Sequence, residues 1–135
     1  MPRRSWLLHN DIPVIQIELR EPFTGFTATR TLVADTGAGP RFSPFELVLG
    51  VADGLRFGTR VLRSARVGGA FNGQFPIRAV TIEIPALNLS RQADALIVPD
   101  LSLIDGLDGF ACFRFLNAFT YGNFGNPNEF GSEVP

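Results

Sequence analysis

The chain has no lysine; all 12 of its basic residues are arginine. That removes Schiff-base chemistry and the lysine of phosphate-binding loops. A single cysteine, Cys112, rules out an intrachain disulfide and a thiolate metal cluster, so nothing calls for an oxidising compartment. The single histidine, His9, lies near the N-terminus, where a solvated side chain is the plain reading. A serine or cysteine hydrolase would need a base held by a third group. Long apolar runs are also missing: no stretch approaches the ~18 residues of a membrane span. Arg3 and Arg4 precede Trp6, Leu7 and Leu8, but His9, Asn10 and Asp11 break that run short of a secretory signal. The expectation is a cytoplasmic protein that binds no membrane. An excess of one charge is absent too, with 12 basic and 13 acidic residues and a net charge of -1, which leaves no footprint for nucleic acid. No metal or other cofactor is implied.

What is present is a β-rich pattern. At 135 residues and 45% hydrophobic the chain suits one packed domain. Its 14 glycines and 10 prolines cluster between β-rich runs, so the architecture should be mainly β. Alternating Ile15, Ile17 and Leu19 predict a strand over 12–19 with one buried face. Residues 27–34 return as a second strand, wholly apolar at Leu32, Val33 and Ala34. Ser43, Pro44 and Glu46 read as a capping box opening a short helix that Gly50 closes. Runs 60–67 and 74–84 flank the glycine-laden tip Gly68, Gly69, Ala70, Phe71, Asn72 and Gly73, as in a mobile hairpin. Apolar residues switch from odd to even positions along the second arm, which predicts a bulge or bend near Arg78 and Ala79. Residues 93–98 predict a strand buried on both faces. Cys112, Phe115, Leu116 and Phe119 have the spacing of an amphipathic helix, and 121–124 suit a last short strand. Residues 1–11 read as an N-terminal arm, 12–124 as the domain, and 125–135 as a frayed tail.

The residue most suggestive of chemistry is Asp35. It follows a buried strand and precedes a glycine-rich turn, where an ionised carboxyl is costly unless paired, hydrogen-bonded or functional. The plain alternative is an Asx turn in which Asp35 caps its own backbone. Cys112, on the apolar face of the predicted helix, reads as a packed thiol and not as a nucleophile.

Asp35, Thr36, Gly37 and Ala38 after an apolar strand resemble the catalytic loop of the retropepsin-like aspartic proteases. The Ser43 segment, the glycine-rich hairpin in the position of a flap, and Asp105 to Gly109 leading into a Phe-rich helix follow in the family's order. The resemblance spans about residues 12 to 124. It implies a closed acid-protease β-barrel with one short and one C-terminal helix. It further implies an aspartic endopeptidase that needs neither metal nor covalent intermediate. The sequence holds one Asp-Thr-Gly, so the resemblance implies a homodimer in which Asp35 meets its two-fold mate. Thr36 would brace the partner's loop, Gly37 would allow the tight turn, and residues 68–73 would close over a peptide or protein substrate. The chain departs from the family at two places. Gly39 replaces a hydroxyl-bearing residue that would hydrogen-bond the carboxylate. Leu107, Asp108 and Gly109 place an acid where an apolar residue would pack under the loop; Arg114 is a candidate partner for it, and an exposed turn is the alternative. These departures leave open a catalytically silent dimer of the same fold, acting as a peptide-binding or oligomerisation module.

Overall fold

A computed structural model describes residues 2–68, 72–99, 101 and 106–135. Among the described residues ten strands and two short α-helices follow one another: β1 (Arg3–Leu7), β2 (Val14–Arg20), β3 (Thr27–Ala34), β4 (Leu47–Gly50), α1 (Val51–Phe57), β5 (Gly58–Val67), β6 (Gly73–Ile84), β7 (Leu89–Val98), β8 (Gly109–Ala111), α2 (Phe113–Leu116), β9 (Thr120–Gly122) and β10 (Glu129–Glu133). The molecule is therefore mainly β, as its glycine and proline punctuation predicts. Two sheets form. One runs β2-β3-β8-β4-β7-β6-β5, and an additional pairing of β2 with β6 closes its first six strands into a barrel.

Strand β6 makes that closure. Its first half pairs with β5 and its later residues Thr81 to Glu83 pair with β2, while β7 accompanies it from Ile77 to Ile84. The register slips between Gly58 and Arg63 of β5, opposite Ile77 to Val80. The extra residues lie on β5, so the bend predicted near Arg78 and Ala79 is produced by bulges in the neighbouring strand. Arg20 Nη2 donates to both oxygens of Glu83 at 2.8 Å across the β2–β6 seam.

The core follows the sequence pattern. Ile15, Ile17 and Leu19 of β2 are buried together with Leu32, Leu47, Leu49, Val80, Ile82, Ala95 and Phe115. In β7 the residues Ala95 to Val98 are all buried, the two-faced burial expected of that run. A second cluster of Val48, Ile77, Leu96, Val98 and Cys112 lies on the other face of the same strands.

Four expectations need correction. Residues 47–50 form a strand, and the helix begins where it was expected to end, with Gly50 as its N-cap. The capping box does not form because the Glu46 carboxylate is taken by Arg91 and by the Asp94 N–H. The C-terminal helix is a single turn, Phe113–Leu116; beyond it the Phe119 N–H reaches back three residues, to the Leu116 carbonyl. The tail is not frayed. β10 pairs with β1 from Arg3–Glu133 to Leu7–Glu129 and with β9 on its other side. The reason is apolar: Trp6 and Phe130, both buried, join the barrel core.

Candidate functional site

Strand β8 lies between β3 and β4, parallel to the former and antiparallel to the latter. The C-terminal ends of β3 and β8 and the N-terminal end of β4 therefore meet at one rim of the barrel. Backbone bonds tie the rim together. The Asp35 N–H donates to the Ala111 carbonyl at 2.9 Å, the Cys112 N–H to Glu46 at 2.9 Å, and the Glu46 N–H to Asp94 at 2.8 Å.

Asp35 stands on this rim, half-buried. Its Oδ1 accepts the Gly37 N–H at 3.1 Å, and its carbonyl accepts the Ala38 N–H at 3.1 Å. The Asx turn considered from the sequence thus forms, using one carboxylate oxygen; Oδ2 has no hydrogen-bond partner among the described residues. Thr36 and Gly37 are exposed, while Ala38 packs on the second core cluster and its carbonyl accepts the Phe113 N–H at 3.0 Å. Gly39 is left-handed at φ +75, and a Cβ there would lie 3.3 Å from Ser43 Cβ and Oγ. Glycine therefore suits the crowding as well as the turn.

A pocket of about 450 Å³ opens beside Asp35. Phe45, Val48, Leu96 and Phe110 give it an apolar wall, and Arg66, Val67 and Gly68 from the end of β5 border it. Its Ser43-to-Glu46 wall is held by charge. Arg91 meets the buried Glu46 through two bonds of 2.7 and 3.1 Å, and Arg114 donates to the Ser43 carbonyl at 2.9 Å. Arg63 bonds the Pro44 carbonyl and pairs with Asp94. Sequence reasoning missed this latch, since its members are spread over 43–114 with no local spacing. Arg66 carried a signal in its place next to the glycine tip.

Of the predicted hairpin residues, Gly68, Asn72 and Gly73 are described; Gly69, Ala70 and Phe71 lie outside the described residues, as does Asp105. Leu107 is buried in the main core. Asp108 pairs with Thr31, four residues back along β3 from Asp35, so it lies down the ladder and not directly beneath the loop. Its Oδ2 accepts the Thr31 N–H at 2.9 Å. Arg114 is not its partner, being engaged with Ser43 and, at 3.7 Å, with Asp94. Gly109 has φ +157, and a Cβ there would lie 2.1 Å from the Val48 carbonyl oxygen.

Cys112 lines the pocket but is fully buried. Burial first, and then the charges of Asp35 and Glu46, push its thiol up to about 12, so it is no thiolate nucleophile at neutral pH. Among the described residues no group of three or more His, Cys, Asp or Glu side chains is placed to hold a metal ion. None of their helices is long and apolar enough to cross a membrane. No family model matches the chain, and no curated protein matches it.

Proposed function

We propose that this chain is a retropepsin-like aspartic endopeptidase that works as a homodimer. One observation carries the reading: the loop from Asp35 to Gly37 sits where β3 and β8 end side by side, facing an apolar pocket bordered by a long hairpin. Two Asp35 carboxylates brought together by a two-fold axis would share one proton, because like charges about 3 Å apart cannot both ionise. The ionised partner would take a proton from a bound water, and the protonated one would donate a hydrogen bond to the scissile carbonyl. The Oδ2 of Asp35, without a hydrogen-bond partner among the described residues, fits this role, and the Gly37 N–H on Oδ1 fixes the carboxylate's orientation. An extended peptide would lie under the hairpin, its apolar side chain in the pocket.

A second reading rests on Gly39. With no hydroxyl at that position, the carboxylate lacks one donor, which favours a dimer that binds peptide without cutting it. The two readings separate on one experiment. Sedimentation establishes the oligomer, and an unstructured protein substrate is incubated with it across pH 3 to 7. The protease reading expects cleavage at acidic pH, inhibition by pepstatin-type compounds and loss of activity in Asp35→Asn. A confirmed dimer that binds peptide but cuts nothing supports the silent module, and a strict monomer sinks both.

A further inference from the structure

Six arginines of the chain each meet a carboxylate: Arg20, Arg30, Arg56, Arg63, Arg91 and Arg114. Arg66 meets none among the described residues, and it is exposed at the edge of the pocket that holds Asp35. Glu46 and Asp94, the other acids among the described residues of this rim, are already engaged by Arg91, Arg63 and Arg114. Among the described residues Asp35 is the sole carboxylate lining the pocket, and the remaining wall is mostly apolar. A guanidinium beside low-dielectric walls attracts an incoming carboxylate more strongly than one on open surface.

We propose that Arg66 is a specificity-determining residue that pairs with an acidic side chain of the bound peptide. This rests on the peptide-binding site proposed above. Alternate side chains of an extended peptide share a face and stand about 7 Å apart. An acidic residue two positions from the apolar side chain that fills the pocket stands on the same face of the peptide, the face that meets the pocket Arg66 borders. The guanidinium's planar fork suits a carboxylate bidentately, and the pairing adds selectivity more than raw affinity. The substrate class is thus a peptide with an apolar residue and an acidic one at a spacing of two.

The test uses two peptides amidated at the C-terminus that differ only in Asp or Asn two positions from a Phe, and a third, neutral peptide with a free C-terminus. Cleavage efficiency is measured for the wild type, Arg66→Gln and Arg66→Glu, and binding of labelled peptides is measured on Asp35→Asn protein. The wild type should favour the Asp peptide by about two- to fivefold at low salt, with the ratio shrinking as salt rises. Arg66→Gln should bring the ratio near one, and Arg66→Glu should invert it; matched thermal melts exclude misfolding. A ratio near one in the wild type, or one that survives Arg66→Gln, overturns the assignment while cleavage itself upholds the protease reading. Preference for the free C-terminus over the Asp side chain also overturns it. No cleavage, with Arg66-dependent binding of the Asp peptide, rejects the protease and supports Arg66. If no peptide is bound or cut, both fail.

Discussion

Asp108 stands beside Thr31 as an added rung of the β3–β8 ladder. Its N–H donates to the Thr31 carbonyl at 2.8 Å, and its Oδ2 accepts the Thr31 N–H at 2.9 Å. A side chain here does the work of the backbone carbonyl that a longer β8 would supply. Asp108→Leu strands the Thr31 N–H and should cost about 1–3 kcal/mol. Asp108→Asn keeps an acceptor and should cost less. Urea denaturation of both variants checks this; a Leu variant as stable as the wild type shows that the bond contributes nothing.

The thiol of Cys112 gives the fold a pH dependence on the alkaline side. Its folded value is raised from an ordinary 9.0 to about 12, so the folded chain holds the proton more tightly than the unfolded chain. The stabilisation is fully present below pH 9 and is lost as the pH rises towards 12. The slope in that window is about 1.4 kcal/mol per pH unit. With no lysine in the chain, few other groups titrate there. Urea midpoints at pH 8 and pH 10.5 should fall for the wild type and fall less for Cys112→Ala. Equal slopes for the two proteins count against the buried-thiol account.

Gly109 is fixed by contact as well as by conformation. A Cβ 2.1 Å from the Val48 carbonyl cannot be accommodated without separating β8 from β4. Gly109→Ala should cost about 3 kcal/mol or more. Gly68→Ala, where a Cβ meets nothing within 4 Å, should stay within about 0.5 kcal/mol of the wild type. Comparable melting temperatures for the two variants refute the distinction.

The terminal sheet is part of the folding unit. Removing residues 125–135 deletes β10, the central strand of that sheet, and uncovers Trp6. The truncated chain should lose cooperative unfolding. Phe130→Ala, which keeps the strand, should cost about 3 kcal/mol. A sharp, unshifted thermal transition in both proteins places the sheet outside the cooperative unit.

Much of the barrel was legible because its long strands carry local patterns. The alternation of Ile15, Ile17 and Leu19, the apolar end of β3 and the doubly buried β7 each announce themselves within a few residues. What escaped depends on distant partners. β8 is three residues between β3 and β4, and its pairings span 60 or more positions. β4 was hidden by a capping-box spelling whose Glu46 is claimed by Arg91, 45 residues away. At α2 the burial period was right for Cys112, Phe115 and Leu116, but turns continue that period after the helix has stopped. Asp35 was legible as a candidate because a carboxylate after a buried strand is costly by itself. The charged latch required three-dimensional proximity, whereas Arg66 stands in sequence next to the glycine tip.

Residues 2–3 and 133–134 are neighbours. Arg3 opposes Glu133, and the Val134 N–H donates to the Pro2 carbonyl at 2.9 Å. A brief glycine linker from Val134 to Pro2, with the chain opened at the exposed turn around Phe23, would therefore yield a circular permutant with the same barrel.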